Sequence, residues 1–377
     1  MDFNFGEEQQ AIRELAREIL VKEVTPELHK QLESGPEWFA RSLWKNLGEA
    51  NLLGVAVPEA LGGSGLGLLE VCVLLEEVGR TAAPVPVLAS LVLGGAAIGR
   101  AGNDAQRERW LGPLARGETI LSGALVDADS ADPMAPATTA TRDGDGWRLD
   151  GRKRFVPAAG LADVIVVPAR VEGGIRLFAV DPRGEGVTLS PNVVSTHEPL
   201  FDVALTGARV GRDALLGDDA GGAEHLRWWH DCALVAVAAV QLGVSARALE
   251  ITTDYAKQRE QFGAPIGSFP PVQHRAADCY IDLEALRWTT WRAAYRLAED
   301  LPASRDAAVA KIWAADAGSR IANAAQHLHG GMGVDRDYPI HRYFLWSKSL
   351  ELALGGATPQ LARLGRDMAR TGPQEFA

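Results

Sequence analysis

Two stretches of this chain carry residue types suited to gripping an anionic ligand. Arg259-Glu260-Gln261-Phe262-Gly263 offers a guanidinium, the side chain best shaped for bidentate contact with phosphate. His327-Leu328-His329-Gly330-Gly331-Met332-Gly333 offers a ring that donates or accepts hydrogen bonds and a glycine pair that lets backbone approach a ligand closely. Each stretch also has a plainer reading. A cation at a helix end interacts with the helix dipole, an aromatic packs a core, and glycines stop helices. His329 is expected to be structural. Asp335, Arg336, Asp337, His341 and Arg342 are expected to form a solvated or subunit-contacting loop.

The elements that must position these residues are bounded by length and composition. With 377 residues, 47% of them apolar, the chain can fill two or three packed units. A formal charge of -11 argues against nucleic acid, which needs a basic face. No run of about 18 uninterrupted apolar residues is present, so no membrane span is expected. The acidic start, Met1-Asp2-Phe3-Asn4-Phe5-Gly6-Glu7-Glu8, lacks the order of a signal peptide. Cys72, Cys232 and Cys279 are scattered and read as buried small hydrophobes in a reducing compartment, not as metal ligands. A cytoplasmic location follows as the expectation.

Apolar spacing divides the chain into three stretches. Residues 1–120 read as a helical domain, with helices at Glu8 to Leu20, Pro36 to Ala50, Leu68 to Val78, Pro86 to Arg100 and Asp104 to Ala115. Pro36 suits a first helical position, and Gly79 the residue after a helix end. Residues 121–220 read as an antiparallel β-domain, with strands at Trp147 to Phe155, Val164 to Val167, Ile175 to Val180 and Val187 to Leu189. Asp150-Gly151 reads as a turn inside the first of these. Residues 221–377 read as a C-terminal four-helix bundle. Leu234 to Val244 is apolar all round, Leu283 to Leu297 and Val309 to Leu328 form apolar stripes, and a last helix pair runs from Arg342 to Arg370. Ser304 is the expected N-cap of the third helix and Gly330 its stop. The fold class is α+β.

This order and these motifs together resemble the acyl-CoA dehydrogenase family over essentially the whole chain. Arg259 to Gly263 is similar to its Arg-x-x-Phe-Gly signature, Ala325 to Gly333 to its His-Gly-Gly-x-Gly signature, and Pro58-Glu59-Ala60-Leu61-Gly62-Gly63 to the entry into an N-terminal core helix. The resemblance implies FAD and desaturation of an acyl-CoA thioester between its α and β carbons. It carries cofactor contact over to Arg259, Gln261, Phe262, Ile266, Phe269, His327, Leu328 and Gly331. His327 stands where glutamine is common.

The resemblance also exposes what is missing. Family members take the catalytic carboxylate from one of two places, and here those places hold Ala233 and Gly355. Neither side chain can accept a proton, so the chain has no catalytic residue of its own. The flavin-ring half departs as well. Val126 to Pro133 and Phe155-Val156-Pro157 stand where the family carries Thr-Glu-Pro-x-x-Gly-(Ser/Thr)-Asp and Trp-(Ile/Val)-(Thr/Ser), and Pro157 has neither hydroxyl nor amide hydrogen to offer. In homo-oligomeric members each FAD is held by two chains. This chain is similar to the base-less subunit of heterotetrameric actinobacterial enzymes acting on steroid side-chain CoA thioesters. A homologous, glutamate-bearing partner is implied. Two alternatives stand beside it: a self-sufficient homodimer using Asp231, with His230 and Glu224 nearby, and a flavin-free scaffold.

Overall fold

The computed structural model describes residues 5–35, 38–217 and 221–372. The expected helix start at Pro36, the four N-terminal residues and the last five lie outside the described residues. The fold is α+β, and two compact units are distinguished, Met1–Glu27, Cys72–Ala83 and Leu234–Ala377 in one, Leu28–Val71 and Pro84–Ala233 in the other.

The first unit is helical. It contains α1 (Glu7–Glu23), most of α4 (Leu68–Thr81), the greater part of α7 (Gly222–Gln258), α8 (Pro270–Ala298), α9 (Ser304–His329), α10 (Ile340–Leu352) and α11 (Ala357–Thr371). Charge pairs tie its early helices together: Arg13 and Arg17 of α1 reach the buried Glu76 and Glu77 of α4 at 2.9 and 2.7 Å. Arg80 of α4 pairs with Glu250 of α7 at 2.8 Å. The expected end of α4 at Gly79 is wrong, because the helix runs on to Thr81. A Cβ at Gly79 would lie 2.1 Å from the Val240 carbonyl oxygen of α7. Gly79 is therefore there for backbone contact between helices, not for a cap.

Among the described residues α7 alone has the length and apolarity of a membrane span, yet 89% of its most apolar window is buried in the protein. It is a core helix. Leu242, Leu249 and Ala256 face inward as their spacing predicts, and so do Leu283, Leu286, Thr290, Ala293 and Leu297 of α8. On α9 the buried face is alanine-rich, from Ala307 to Ala325, and Val309 and Trp313 are only half-buried. Ser304 is the first helical residue of α9 and not its cap, which is Ala303.

The second unit carries α2 (Pro26–Glu33) from Leu28 onward, α3 (Arg41–Glu49), α5 (Ala97–Ala101), α6 (Asp104–Ala115) and a mixed sheet. Trp38 and Phe39 precede α3 and are buried outside it. Leu88–Ala96 winds as a π-helix, pinned where Ser90 both donates to and accepts from the backbone of Leu121 at 3.2 Å. The strands are β1 (Leu121–Gly123), β2 (Thr139–Asp143), β3 (Gly146–Pro157), β4 (Val164–Val171), β5 (Gly174–Val180), β6 (Val187–Asn192), β7 (Leu200–Val210) and β8 (Leu215–Leu216). Their order is β6-β7-β3-β2-β4-β5-β8, with β1 on β4. The sheet is not purely antiparallel, since β1 and β2 both meet β4 in parallel. The long strand β7, unpredicted, pairs along β3. Asp150-Gly151 is not a turn: β3 continues through it, with a shift of register against β7 between Leu149 and Gly151, and a Cβ at Gly151 would lie 2.5 Å from Thr138 Oγ1. The turn is Gly144-Asp145 instead. Inside, Trp147 meets Phe178 edge to face at 5.4 Å above Leu149, Ile165, Val167 and Val203.

Candidate functional site

After α7 ends at Gln258, the amide of Arg259 still donates to the Tyr255 carbonyl at 2.8 Å. The chain then folds back as a two-strand ribbon, β9 (Glu260–Gln261) against β10 (Ala264–Pro265). Its two-residue turn is Phe262-Gly263, with φ of 53° and 78°. Positive φ at both positions is the hairpin turn that favours Asn-Gly, because it matches strand twist. A phenylalanine in that conformation costs about 1–2 kcal/mol. Phe262 nevertheless stands there 95% exposed. Strain and exposure together make it a candidate for contact with a ligand.

Four of the other predicted residues, Arg259, Gln261, Ile266 and Phe269, lie in or beside this finger. Ile266 donates its amide to the Arg259 carbonyl at 2.8 Å, closing the base of the ribbon. Phe269 meets the Phe262 ring edge to face at 6.3 Å. Arg259 and Gln261 are exposed. Gln261 donates to its neighbour's carbonyl at 2.7 Å, whereas the Arg259 guanidinium has no partner among the described residues.

At the end of α9, Gly330 stops the helix with φ 57° and donates to the His327 carbonyl. A Cβ at Gly330 or Gly331 would meet nothing within 4 Å, so the start of the turn Gly330–Val334 is open backbone, whereas Gly333 is buried against Gln326. Leu328 is half-buried beneath it and His327 is exposed. His327 Nδ1 lies 3.3 Å from the Arg275 guanidinium of α8. Guanidinium can only donate, so Nδ1 accepts, the ring is neutral, and Nε2–H is left as a donor. Arg275 was missed in the sequence; an exposed arginine at the sixth residue of a helix carries no signal by itself. His329 is buried, as expected of a structural residue, and burial holds its pKa below the ordinary value.

Thus Arg259, Phe262, Ile266 and Phe269 are joined to one another, and Arg275 links the start of α8 to His327. Gln261 and Leu328 belong to the same segments without such contacts. The donor set suits a phosphate-bearing nucleotide: an unpaired guanidinium, a second one beside a neutral imidazole donor, and open glycine backbone.

The two positions at which the family's carboxylate was sought are Ala233 and Gly355. Ala233 is fully buried in α7. Gly355 follows α10 in a turn closed by its amide on the Leu352 carbonyl at 3.1 Å, with Leu354 at φ 56° and Gly355 at φ 87°. Any side chain at 355 would be strained. Behind it, the buried Lys311 Nζ donates to the carbonyls of Leu350 and Glu351 at 3.1 and 3.0 Å, and burial lowers its pKa to about 8. Asp231 is 3% exposed with His230 Nδ1 3.8 Å away, and Glu224 is exposed.

In the second unit, β3 bulges between Lys153 and Val156 and turns Phe155 outward at φ 52°. Phe155 N–H donates to Asp202 at 3.4 Å, and the Pro157 carbonyl accepts from the Ser122 hydroxyl. Asp127 is buried. It accepts from Thr138 N–H at 3.0 Å and from Lys153 Nζ at 2.6 Å. Lys153, fully buried and also donating to the Pro168 carbonyl at 2.9 Å, has its pKa lowered to about 8 by burial. These groups answer one another and offer little to a ligand.

Family models described as the N-terminal, middle and C-terminal domains of acyl-CoA dehydrogenase match residues 6–118, 127–198 and 234–369. Acyl-CoA dehydrogenase FadE27 of Mycobacterium tuberculosis is 40% identical, over 98% of this chain and 100% of that protein. A chain of the ChsE4-ChsE5 complex from Mycobacterium tuberculosis is 39% identical with a TM-score of 0.94, covering 99% of this chain and 100% of that one. A chain of the Tcur3481-Tcur3483 steroid ACAD is 43% identical with a TM-score of 0.91, covering 97% of this chain and 98% of that one. Similar from end to end in both sequence and fold, the chain belongs to the acyl-CoA dehydrogenase family, whose members use FAD.

Proposed function

We propose that this chain is the base-less subunit of a heteromeric acyl-CoA dehydrogenase, clamping the nucleotide part of an FAD shared with a homologous partner. Arg259, Gln261, Phe262, Ile266, Phe269, His327, Leu328 and Gly331 form the clamp, joined by Arg275. When bound, FAD supplies the hydride acceptor for α,β-desaturation of the thioester. The partner supplies the glutamate that removes the α-proton. This chain's share is to bind and orient.

One observation carries the reading. The Phe262 finger, with an unpaired Arg259 at its root, is extended at an energetic cost, while the two carboxylate positions hold Ala233 and Gly355. A ligand-ready surface on a chain without a proton acceptor makes sense when the acceptor belongs to another chain. The relatives named for the ChsE4-ChsE5 complex and the Tcur3481-Tcur3483 steroid ACAD support a heteromer and a steroid side-chain thioester as substrate. Three buried thiols without disulfides suit a cytoplasmic enzyme.

The test is co-expression with a homologue carrying a glutamate at either position. Yellow, active protein is expected from the pair, and neither flavin nor turnover from this chain alone. Desaturation by the purified single chain would overturn the proposal.

A further inference from the structure

Three rings meet where the two halves of the clamp are rooted. Tyr255 lies in the last turn of α7, and its carbonyl holds the Arg259 amide at 2.8 Å. His329, the last residue of α9, stacks on Tyr255 with ring centroids 4.4 Å apart and planes 26° apart. Tyr338 closes the third side, 5.2 Å from His329 and 6.3 Å from Tyr255. Its own carbonyl pairs with His341 Nδ1 of α10 at 2.7 Å.

The ring in the middle has a defined protonation. His329 Nδ1 lies 2.8 Å from the Ala325 carbonyl, which only accepts, so Nδ1 carries the hydrogen. Nε2 is then a bare acceptor, buried with no hydrogen-bond partner. A histidine in that position acts through its flat shape and its grip on its own helix. The segments on either side are exposed: Lys257 to Gly263 on one, Gly330 to Met332 on the other. The stack, buried at His329 and half-buried at Tyr255 and Tyr338, is where they can feel each other.

We propose that Tyr255, His329 and Tyr338 are positioning residues that couple the Arg259–Gly263 hairpin to the Gly330–Val334 turn, so that both halves of the clamp order together. The functional meaning rests on the clamp reading above; the coupling itself does not.

Amide hydrogen exchange on the full chain, without flavin, tests it. In His329→Ala, exchange is expected to rise about tenfold in both 259–265 and 330–338, with the middle of α7 unchanged. His329→Phe, which keeps the stack and loses the Ala325 bond, is expected to restore the hairpin to within about twofold of wild type. A rise confined to 330–338, or no restoration by phenylalanine, would overturn the coupling. Should His329→Ala fail to fold, Tyr338→Leu is read the same way: both segments must loosen together or the idea is lost. None of these measurements involves FAD. A pair that takes up no flavin while the exchange results hold removes the clamp reading and leaves the clasp.

Discussion

Phe262 and Phe155 invite comparison. Each is an exposed phenylalanine with a left-handed backbone, at φ 53° and 52°, the first at a hairpin tip and the second in a bulge within β3. Their surroundings differ. In the unit of Phe262 polar groups are left open: Arg259 at the hairpin's root has no partner among the described residues, and at the end of α9 Gly331 faces empty space and His327 keeps a free donor. Around Phe155 they are consumed internally, with Asp202 on its amide, Ser122 on the Pro157 carbonyl, and Lys153 locked to Asp127. Strain alone does not identify a site. Strain beside unsatisfied, accessible donors does.

Breaking the closed region should have the largest effect. Lys153→Met leaves Asp127 buried without its cation and is expected to destabilise the protein by about 3–5 kcal/mol in urea unfolding. Asp127→Asn combined with Lys153→Met should recover most of that loss. The same pair has a pH signature. Because Lys153 titrates at about 8 in the fold, below its ordinary 10.5, the unfolded chain binds more protons between those values. Its contribution therefore makes stability rise with pH across that window, and the double variant should lack the rise.

Breaking the open region should not lower stability. Arg259→Ala is expected to lower FAD occupancy of the co-expressed pair by about 2 kcal/mol, or some thirtyfold, measured by flavin absorbance after dialysis. Unchanged occupancy would leave the shared clamp without its main support. A smaller and opposite effect is expected of Phe262→Asn. It should stabilise the isolated chain by about 1 kcal/mol, since asparagine tolerates positive φ, while weakening flavin retention. Last, Pro157→Thr restores the hydroxyl that the family carries, and flavin content of the pair should change by less than about twofold if the ring is held by the partner. A large gain would show that this chain also reaches the ring.

Much of the helical framework was legible because burial writes a period into sequence. The α8 stripe from Leu283 to Leu297 and the all-round apolar start of the core in α7 appear in the fold as expected. Errors fell on residues whose local meaning is ambiguous. Gly79 and Gly151 are turn and cap residues by composition, yet both are glycine because another backbone or side chain occupies the space of a Cβ. Ser304 has a capping side chain and sits one residue inside the helix. For the site, the two signature segments were visible. Arg275 was not, since only the packing of α8 beside α9 brings it to His327.

What the linear order of residues determined was identity of parts: which segments are helix or strand, which positions can donate, and that Ala233 and Gly355 cannot take a proton. Chemistry of a side chain is intrinsic, so its absence is readable without a fold. What only the tertiary structure decided was availability. Whether a guanidinium is spent on a neighbour, whether a phenylalanine is buried or held into solvent, and whether an aspartate is a base or half of a locked ion pair depend on groups far away in the chain, brought near by packing.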